Sequence, residues 1–478
     1  MSERTLQYNT AKPWQVIVFP ISNAVQNLFM IMMMFSGYVA AGGYGIAVAT
    51  AGLIVTYSRV FDAVTDPLIG FITDRMPAKW GKTRILMGSG YVIMALSSFA
   101  MFFWFVGTGL AVFTIIYMVY IIGYTIYNVG YQTSVAIITN NPSQRPKVTR
   151  YGAIYTSIVA ALTSLYLSGY LAKKHGGLSM GAFQEVCITV VVASGILVVL
   201  AMIAISSKDT PQAFMNINTK PVKFKDMLRI IKGNRALQML IVAGASDKIA
   251  LQTASNTFIS TMVFGIVIGN YAFSGRLNML NLLVQIPLIF VATNLAGRKG
   301  IKEANIKWTT YSIIIALTMI IFMIAVDPKQ ISVAVIPTVL FIIINALHAA
   351  TKMATSAVTG AMIPECADYE LYLSGNYMPG VIATAYSFVD KLVSSLSATI
   401  AALGVSAIGY VTTTPQPGDP SNPKIFAMAM FLWMGMPIIG WVCTLIAMKW
   451  YPLTKEKMEE VQQYNREKLA RTAAAVNE

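Results

Sequence analysis

Long apolar runs recur along almost the whole chain, and they restrict its fold more than any other feature. Of the 478 residues, 56% are hydrophobic and only 12% are charged, against roughly 25% charged residues in a soluble domain. An apolar helix of about 20 residues crosses the hydrocarbon core of a bilayer. The pattern predicts an all-α membrane protein with twelve transmembrane helices. The predicted spans lie near residues 14–41, 45–72, 84–106, 109–138, 148–172, 182–205, 236–268, 271–297, 305–326, 330–362, 379–410 and 424–450.

Basic residues are concentrated in alternate loops and at the two ends of the chain. Segments 72–84, 141–150, 206–235 and 297–307, together with the termini, carry 26 of the 35 Lys and Arg residues. With twelve spans, all of these segments lie on one side of the membrane. The positive-inside rule then predicts that both termini are cytoplasmic, in a bacterial inner membrane. The net charge of +15 is therefore attributed to topology and not to nucleic-acid binding.

The longest polar insert divides the chain into two halves with six predicted spans each. Residues 1–205 are predicted to form one six-helix bundle and residues 236–450 a second. Residues 206–235 connect them as a cytoplasmic linker, and residues 451–478 form a charged, solvated helical tail. Similar short basic loops follow the second span of each half, which is a weak internal repeat of the kind found in transporters.

The second predicted span carries charges that a lipid-facing helix does not tolerate. Arg59, Asp62 and Asp66 are spaced i, i+3 and i+7, so they share one helical face, with Thr65 beside them. Each charge costs about 2.5–3.5 kcal/mol at the centre of a span. The two carboxylates repel each other, and a small hard cation relieves the repulsion because it takes oxygen ligands. The spacing predicts a Na⁺ or H⁺ site, with a static ion-pair network through Arg59 as the alternative.

Other intramembrane charges lie in the second half. Lys391 is surrounded by small and hydroxyl residues, and it could pair with either aspartate of the second span or hold a substrate oxygen. Asp247 and Lys248 are adjacent in the seventh span, for which structural ion pairing is the favoured interpretation. His348 and Lys352 share one face of the tenth span, and packing or hydrogen bonding is favoured for this histidine.

Uncharged polar residues cluster in the first and fourth predicted spans. Amides bind hydroxyl groups, and aromatic rings stack on the apolar face of a pyranose, so these clusters favour a sugar pocket. Hydrogen bonding between helices is the alternative interpretation. The first-span cluster, "SNAVQN", contains Ser22, Asn23, Gln26 and Asn27, and the fourth-span cluster, "YTIYNVGYQTS", contains Tyr124, Thr125, Tyr127, Asn128, Tyr131 and Gln132.

The second-span motif "RVFDAVTDPLIGFITDR", followed by "WGKTR", resembles the signature of the glycoside–pentoside–hexuronide:cation symporters, the melibiose permease group of the major facilitator superfamily. The likeness extends over the whole chain through the fourth-span polar run, the segment "ECADYE" (365–370) and the segment "YSFVDKL". It implies the major facilitator fold and cation-coupled symport of a sugar. It also implies no cofactor besides the coupling Na⁺ or H⁺, no enzymatic activity, and a monomer as a sufficient unit.

The resemblance and the residue pattern together predict the site residues. A polar ligand that is Asn in melibiose permease falls on Thr65, and a fourth-span Thr of the family's cation site falls on Thr125. The family's arginine at the start of the fifth span falls on Arg150, and its membrane lysine between cation and sugar falls on Lys391. The predicted cation-binding residues are Asp62, Thr65, Asp66 and Thr125. The predicted substrate-binding residues are Ser22, Asn23, Gln26, Tyr124, Asn128, Gln132, Arg150, Tyr386 and Lys391, and Arg59 and Lys391 are predicted to couple the two sites.

Two departures from the melibiose permease pattern bear on the substrate. The first-span aspartate that engages the sugar there is replaced here by Ser22 or Asn23, and the fourth-span aspartate and its neighbouring tryptophan fall on Asn128 and Gln132. The pocket is therefore expected to be more electropositive. This favours a hexuronide or another acidic glycoside, with a neutral glycoside or a pentoside as the alternative.

Three further functions were weighed. A lysolipid-type carrier is disfavoured because the polar first and fourth spans make a poor acyl slot, and a non-transporting membrane sensor because no separate output domain is present. An intramembrane enzyme is disfavoured because the sequence contains neither HExxH nor GxSxG. The basic loop 72–84 and the acidic segment 365–370 are predicted to form a cytoplasmic latch.

Overall fold

The computed structural model describes residues 10–76, 81–139, 141, 144–210, 224–375 and 378–477. Every regular element in these ranges is helical. The all-α prediction is therefore confirmed for the part of the chain that is described. Side chains are not described at positions 63, 64, 66–68, 70–75, 136, 145, 146, 224–226, 282, 286, 289, 290, 292–294, 296–298 and 468–477.

The chain divides into two compact units. One unit comprises Met1–Thr219 with Val405–Pro417, and the other comprises Lys220–Gly404 with Gly418–Glu478. The first division in the sequence falls inside the segment 206–235 that the sequence predicts to be a linker.

The first unit contains helices α1 to α9. The first predicted span is broken into three of them. Pro20 interrupts the backbone hydrogen bonding between α1 and α2, and a second break at Met34 and Phe35 separates α2 from α3. The third predicted span ends in a π-helical segment at Ala100–Trp104, and the fifth contains one at Tyr166–Leu171. The helices are α1 (Pro13–Val18), α2 (Ile21–Met33), α3 (Ser36–Tyr44), α4 (Val48–Arg75), α5 (Lys82–Phe99), α6 (Leu110–Ile138), α7 (Arg145–Leu165), α8 (Ala172–Lys174) and α9 (Met180–Ile205).

The second unit contains helices α10 to α20. π-helical segments at Thr261–Val267 and Phe431–Gly435 and a 3₁₀ turn at Pro328–Ser332 connect some of them. The helices are α10 (Phe224–Gly233), α11 (Arg235–Ala254), α12 (Thr257–Ser260), α13 (Tyr271–Lys299), α14 (Ile301–Ala325), α15 (Val335–Ser374), α16 (Pro379–Ser394), α17 (Leu396–Ala407), α18 (Pro423–Met430), α19 (Met436–Trp450) and α20 (Lys455–Asn477).

The number of helices that could span a membrane is close to the predicted twelve. Nine helices among the described residues are long and apolar enough to cross a bilayer. A tenth is added if the pair Thr257–Val267 and Tyr271–Gln285, bent by 116°, counts as one span. Helix α4 coincides with a predicted span but is not among these, and it carries the Arg59–Asp66 charges. The count of twelve therefore stays a prediction.

Two parts of the second unit differ from the sequence predictions. Helix α15 runs for 40 residues and ends at Ser374, twelve residues beyond the predicted end of the tenth span. The extension includes the acidic segment 365–370, where the Asn234 side-chain amide donates to the Glu370 carboxylate over 3.0 Å. The tail helix α20 was predicted to be solvated, but Met458 and Val461 on it are buried. The C-terminal part of α15 and the tail helix α20 are both held by contacts with distant parts of the chain, which a local sequence pattern does not reveal.

Glycines set the closest helix contacts in both units. A Cβ atom on Gly90 of α5 would lie 2.8 Å from the carbonyl oxygen of Gly123 on α6. A Cβ atom on Gly440 of α19 would lie 2.8 Å from the carbonyl oxygen of Ser246 on α11. Only glycine allows backbones to approach so closely, which is a common device in membrane helices. The contact at Gly440 brings α19 close to α11, where Thr444 meets Asp247.

Candidate functional site

Among the described residues of the first unit, the shortest hydrogen bond between side chains joins two of the predicted cation-binding residues. Thr125 of α6 donates from Oγ1 to Oδ1 of Asp62 on α4 over 2.6 Å. Asp62 is 5% exposed and Thr125 is 1% exposed. The distance is in the range for a hydroxyl that donates to an ionised carboxylate. The structure therefore brings a carboxylate and a hydroxyl from two helices to one buried point.

Thr65 lies one turn along α4 from Asp62 and is also buried. Its hydroxyl donates to the backbone carbonyl of Asp62 over 3.2 Å, so its oxygen keeps lone pairs with which to accept or coordinate. The backbone of Asp66 continues the same helix, but its side chain lies outside the described residues. The described part of this group thus offers one carboxylate and two hydroxyl oxygens.

Arg59 is half-buried on α4, below a row of tyrosines on α6. Its charge is close enough to act on the Tyr120 hydroxyl, which is enclosed and makes no hydrogen bond to a described group. The rings of Tyr120 and Tyr124 stack with centroids 6.5 Å apart, and those of Tyr117 and Tyr120 are 6.3 Å apart. Arg59 is on the same helix as Asp62, whose partner Thr125 is on α6.

Ser22 was predicted to contact substrate, but its surroundings are those of a packing residue. It is fully buried, and its hydroxyl donates to the Phe19 carbonyl over 2.7 Å. Its own carbonyl accepts the Tyr127 hydroxyl over 3.0 Å. The structure does not bring Ser22 together with the other predicted substrate residues.

Unlike Ser22, the predicted amide side chains of the first and fourth spans are not used in hydrogen bonds to described groups. The side chains of Asn23, Gln26 and Asn128 are half-buried, that of Gln132 is exposed, and none makes a hydrogen bond to a described group. Tyr124, Asn128 and Gln132 follow each other at i, i+4 and i+8, which puts them on one face of α6. Hydrogen bonding between helices, the alternative interpretation of this cluster, therefore does not account for these amides. They are available to a ligand.

Tyr131 and Asn27 add to this polar region. The hydroxyl of Tyr131 and the side-chain nitrogen of Asn23 both lie within 3.7 Å of the point where a Cβ on Gly152 would stand. Asn27 donates to the Asn23 carbonyl over 2.8 Å and to Thr156 over 3.3 Å. Both Tyr131 and Asn27 belong to the sequence clusters but were not selected as site residues. The space beside Gly152 on α7 accommodates Tyr131 and Asn23, and Asn27 contacts Thr156 on the same helix. These contacts between helices can be identified only from the structure.

Arg150 lies near the start of α7 and is exposed. Its guanidinium carbon is 5.7 Å from the ring centroid of Tyr151, which holds the side chain along the helix. The charge is thus at the surface of the first unit and not enclosed in its core.

In the second unit, the charged residues of α11 and α16 have different kinds of partner. Lys248 donates to Asp390 over 3.2 Å. Asp247 does not pair with its neighbour Lys248, since its Oδ1 accepts the Thr444 hydroxyl over 2.6 Å. Lys391 is half-buried beside Asp390. The predicted structural ion pair is therefore formed by Lys248 with Asp390, and Asp247 takes no part in it.

Tyr386 and His348 also lie in the second unit. The Tyr386 ring packs against Gly244, one turn from Asp247 on α11. His348 is buried, with its ring centroid 5.9 Å from that of Trp441, and its Nε2 has no hydrogen-bond partner among the described residues. Packing of this histidine is consistent with the interpretation favoured from the sequence. The side chains of Asp74 and Arg75, on which the predicted latch depends, lie outside the described residues.

Comparisons with known proteins agree on the class of protein. A protein-family profile described as "MFS/sugar transport protein" matches residues 21–455. The glucuronide carrier protein homolog of Escherichia coli is 24% identical over 467 residues, which is 95% of each chain. The sodium-dependent lysophosphatidylcholine symporter 1-B of Danio rerio is 22% identical over 86% of this chain and 81% of its own. The solved structure of the nucleoside transporter NupG superimposes with a TM-score of 0.58 at 13% identity, covering 92% of this chain and 99% of that one.

Proposed function

The chain belongs to the MFS/sugar transport protein family, and we propose that it couples the uptake of a glycoside to the movement of a cation. It is a multi-pass membrane transporter with the major facilitator fold and not an enzyme. Within this family the proposal specifies the coupling ion, the substrate class and the residues that bind each. It also places the carrier in a bacterial inner membrane as a monomer with both termini in the cytoplasm.

The observation that carries the proposal is the buried hydrogen bond from Thr125 to Asp62. A carboxylate and a hydroxyl from two different helices form half of a typical site for a small hard cation, which takes oxygen ligands. Thr65 and Asp66, on the same helix as Asp62, supply the remaining oxygens in the proposal. A proton on a carboxyl group needs one acceptor oxygen, whereas a metal cation needs several, so the two hydroxyls and two carboxylates of this set favour Na⁺ over H⁺. The relative from Danio rerio is named as sodium-dependent.

The sugar is proposed to bind at the amides that remain without protein partners. Asn23, Gln26, Asn128 and Gln132 offer donors and acceptors for hydroxyl groups, and Tyr124 offers a ring face for stacking. Arg150, in the same unit as these amides, supplies positive charge, which favours a glycoside with a carboxylate, as in a hexuronide. The relative from Escherichia coli is named as a glucuronide carrier homolog. A neutral glycoside or a pentoside remains the competing substrate.

Coupling follows from the mutual dependence of the two sites. Thr125 of the cation site and Tyr124 and Asn128 of the sugar site are on the same helix, α6. Cation binding would neutralise the carboxylates and fix α4 against α6, which orders the sugar-binding face. By thermodynamic linkage, the sugar then raises the affinity for the cation by the same factor. The carrier would alternate the access of the loaded site between the two sides of the membrane.

A lysolipid carrier is the second candidate because one relative is named as a lysophosphatidylcholine symporter. The unpartnered amides argue against it, since an acyl chain lying on them would remove water without replacing its hydrogen bonds, and this is costly. Uptake measured with both glycosides and a lysolipid tests the two candidates together.

The test is uptake into proteoliposomes that contain the purified carrier. The panel contains a glucuronide, a matched neutral glycoside, a pentoside and a lysolipid, each under an imposed Na⁺ or H⁺ gradient. The proposal expects accumulation of the glucuronide under the Na⁺ gradient and loss of accumulation in Asp66→Asn. Accumulation that depends on neither gradient, and is equal in Asp66→Asn, would show that the second-span carboxylates are structural. Accumulation of the neutral glycoside alone would keep the coupling and replace the substrate.

A further inference from the structure

Asp247 is a buried carboxyl group for which the proposed symport mechanism has no use. It lies on α11 and is 6% exposed. The adjacent Lys248 is turned to Asp390, and no cationic side chain among the described residues forms an ion pair with Asp247. Its one hydrogen bond to a described side chain is the one from Thr444 of α19. An ionised carboxylate in such a place is costly, because a single neutral hydroxyl does not replace its hydration.

The Thr444 hydroxyl provides independent evidence about the protonation of Asp247. Thr444 Oγ1 lies 2.6 Å from Asp247 Oδ1 and 3.2 Å from the carbonyl oxygen of Ala243. A hydroxyl has one proton and can donate it to only one of two acceptors. If Asp247 is ionised, one of the two contacts is not a hydrogen bond. If Asp247 is protonated, it donates to Thr444, which donates to Ala243, and both contacts are hydrogen bonds.

We propose that Asp247 and Thr444 form a proton-binding site in the second unit, separate from the cation site at Asp62. Proton binding forms an O–H bond on Asp247 and removes the buried negative charge. The Thr444 hydroxyl then points to the Ala243 carbonyl. Release returns the proton to water and leaves the carboxylate ionised, and the Thr444 hydroxyl rotates to donate to it. The ligand of this site is a proton, because a metal cation needs more oxygen ligands than this pair supplies.

Other titratable groups lie on the helices packed against α11, and they define what else could carry the proton. Helix α16 presents Tyr386 near Gly244. Asp390 forms an ion pair with Lys248 through Oδ2, and its Oδ1 has no hydrogen-bond partner among the described residues. Other titratable groups on these helices include Lys391 on α16, His348, Lys352, Glu365, Cys366, Asp368 and Glu370 on α15, Arg229 and Lys232 on α10, and Cys443 and Lys449 on α19.

Glu365 on α15 also accepts a hydroxyl, that of Tyr451 over 3.5 Å. The contact of Asp247 is shorter at 2.6 Å, and the hydroxyl that makes it has a carbonyl oxygen as a second acceptor. Asp390 is the matched comparison, because it is on the neighbouring helix and has a lysine partner. Asp390 has a cationic partner in Lys248, whereas Asp247 has only Thr444. The proposal therefore expects the proton on Asp247 and not on Asp390.

Infrared difference spectroscopy of the purified carrier tests the proposal without any transport assay. The wild type is expected to show the carbonyl band of a protonated carboxylic acid at neutral pH, shifted in D₂O, and Asp247→Asn is expected to lack it. Asn at this position can still donate to Thr444, so the variant is expected to fold. Asp390→Asn is the matched control and should leave the band in place. Asp62→Asn should also leave it, which separates this result from that of the proposed cation site.

A second variant keeps the test valid if Asp247→Asn does not fold. In Thr444→Val the acid loses its acceptor, so the same band should remain but move to higher frequency. Thr444→Ser should restore the wild-type frequency. A spectrum in which no carboxylic acid band is lost in Asp247→Asn or moved in Thr444→Val would overturn the proposal, since Asp247 would then be ionised.

Discussion

Two buried aspartates, one in each unit, lie at the same distance from a threonine hydroxyl, and we propose that they differ in charge. Thr125 bonds Asp62 over 2.6 Å and has no second acceptor among the described residues, whereas Thr444 bonds Asp247 over 2.6 Å and also lies 3.2 Å from a carbonyl. The comparison teaches that the length of a carboxyl–hydroxyl contact does not reveal the charge. The other acceptors of the hydroxyl and the neighbours of the carboxyl decide it.

The helices that carry the two aspartates also differ in the number of oxygen-bearing side chains near the aspartate. The positions three and four residues after Asp62 are Thr65 and Asp66, which add oxygen atoms on the same face. The corresponding positions after Asp247 are Ala250 and Leu251, which add none. A metal cation needs several oxygens, and a proton needs one acceptor. We therefore propose Na⁺ as the ligand near Asp62 and a proton as the ligand of Asp247.

The largest effect is expected when the charge is removed from the first pair, Asp62 with Thr125; the second pair is Asp247 with Thr444. In Asp62→Asn, binding of Na⁺ should be lost, because an amide replaces the ionised ligand that the threonine hydroxyl supports. Isothermal titration of the purified carrier with NaCl measures it. Asp327→Asn, at an exposed position, is the control and should bind Na⁺ as the wild type does. Undiminished Na⁺ binding in Asp62→Asn would remove the difference between the two pairs.

A smaller effect is expected when only the hydroxyl of the first pair is removed. Thr125→Val should weaken Na⁺ binding by roughly 10- to 100-fold, which corresponds to the ~1.5–3 kcal/mol of a hydrogen bond to a charged group. Thr125→Ser should recover most of the affinity. Thr114→Val is the matched control, because Thr114 is on the same helix and its exposed hydroxyl bonds only a backbone carbonyl. An affinity unchanged in Thr125→Val would mean that this hydroxyl is not part of the cation site.

The corresponding change at the second pair should affect stability and leave Na⁺ binding intact. Thr444→Val removes the acceptor of a buried acid, which costs about 1–3 kcal/mol of unfolding free energy when a donor is left unpaired. Thermal unfolding of the detergent-solubilised carrier measures the loss, and Thr444→Ser should restore the wild-type midpoint. Weakened Na⁺ binding in Thr444→Val, with an unchanged unfolding midpoint, would assign this pair to the cation site as well.

The sequence anticipated the two pairs unequally. Apolar periodicity predicts the helices, and the charges at Asp62 and Asp66 predict a polar face because charge in a span is costly. The partner of Asp62, Thr125, was predicted only through the family resemblance, since it lies 63 residues away in the chain. Thr444 was not singled out at all. A lone threonine in a span carries no pattern, and its meeting with Asp247 depends on the close approach that Gly440 allows.

The predicted substrate residues also show how far the sequence alone can identify a site. Asn128 and Gln132 were predicted from the polar cluster of the fourth span and from the resemblance, and neither has a hydrogen-bond partner among the described residues. Ser22 was predicted in the same way, yet its hydroxyl donates to the carbonyl of Phe19, which lies just before α2. Short hydroxyl side chains bond their own backbone easily, whereas longer amides reach away from it. Sequence reasoning is therefore more dependable for amides than for serines in a helix of this type.

The smallest expected effect concerns Lys248, the residue next to Asp247 that could be mistaken for its partner. The Lys248 side chain is 48% exposed in its pair with Asp390, so the coupling between them should be only about 0.2–1 kcal/mol, as for other solvated ion pairs. A double-mutant cycle of Lys248→Met and Asp390→Asn, measured by thermal unfolding, gives this value. The parallel cycle of Lys248→Met with Asp247→Asn should give no coupling of attractive sign. An attractive coupling between Lys248 and Asp247 larger than that with Asp390 would mean that Asp247 is ionised, and the contrast between the two aspartates would then fail.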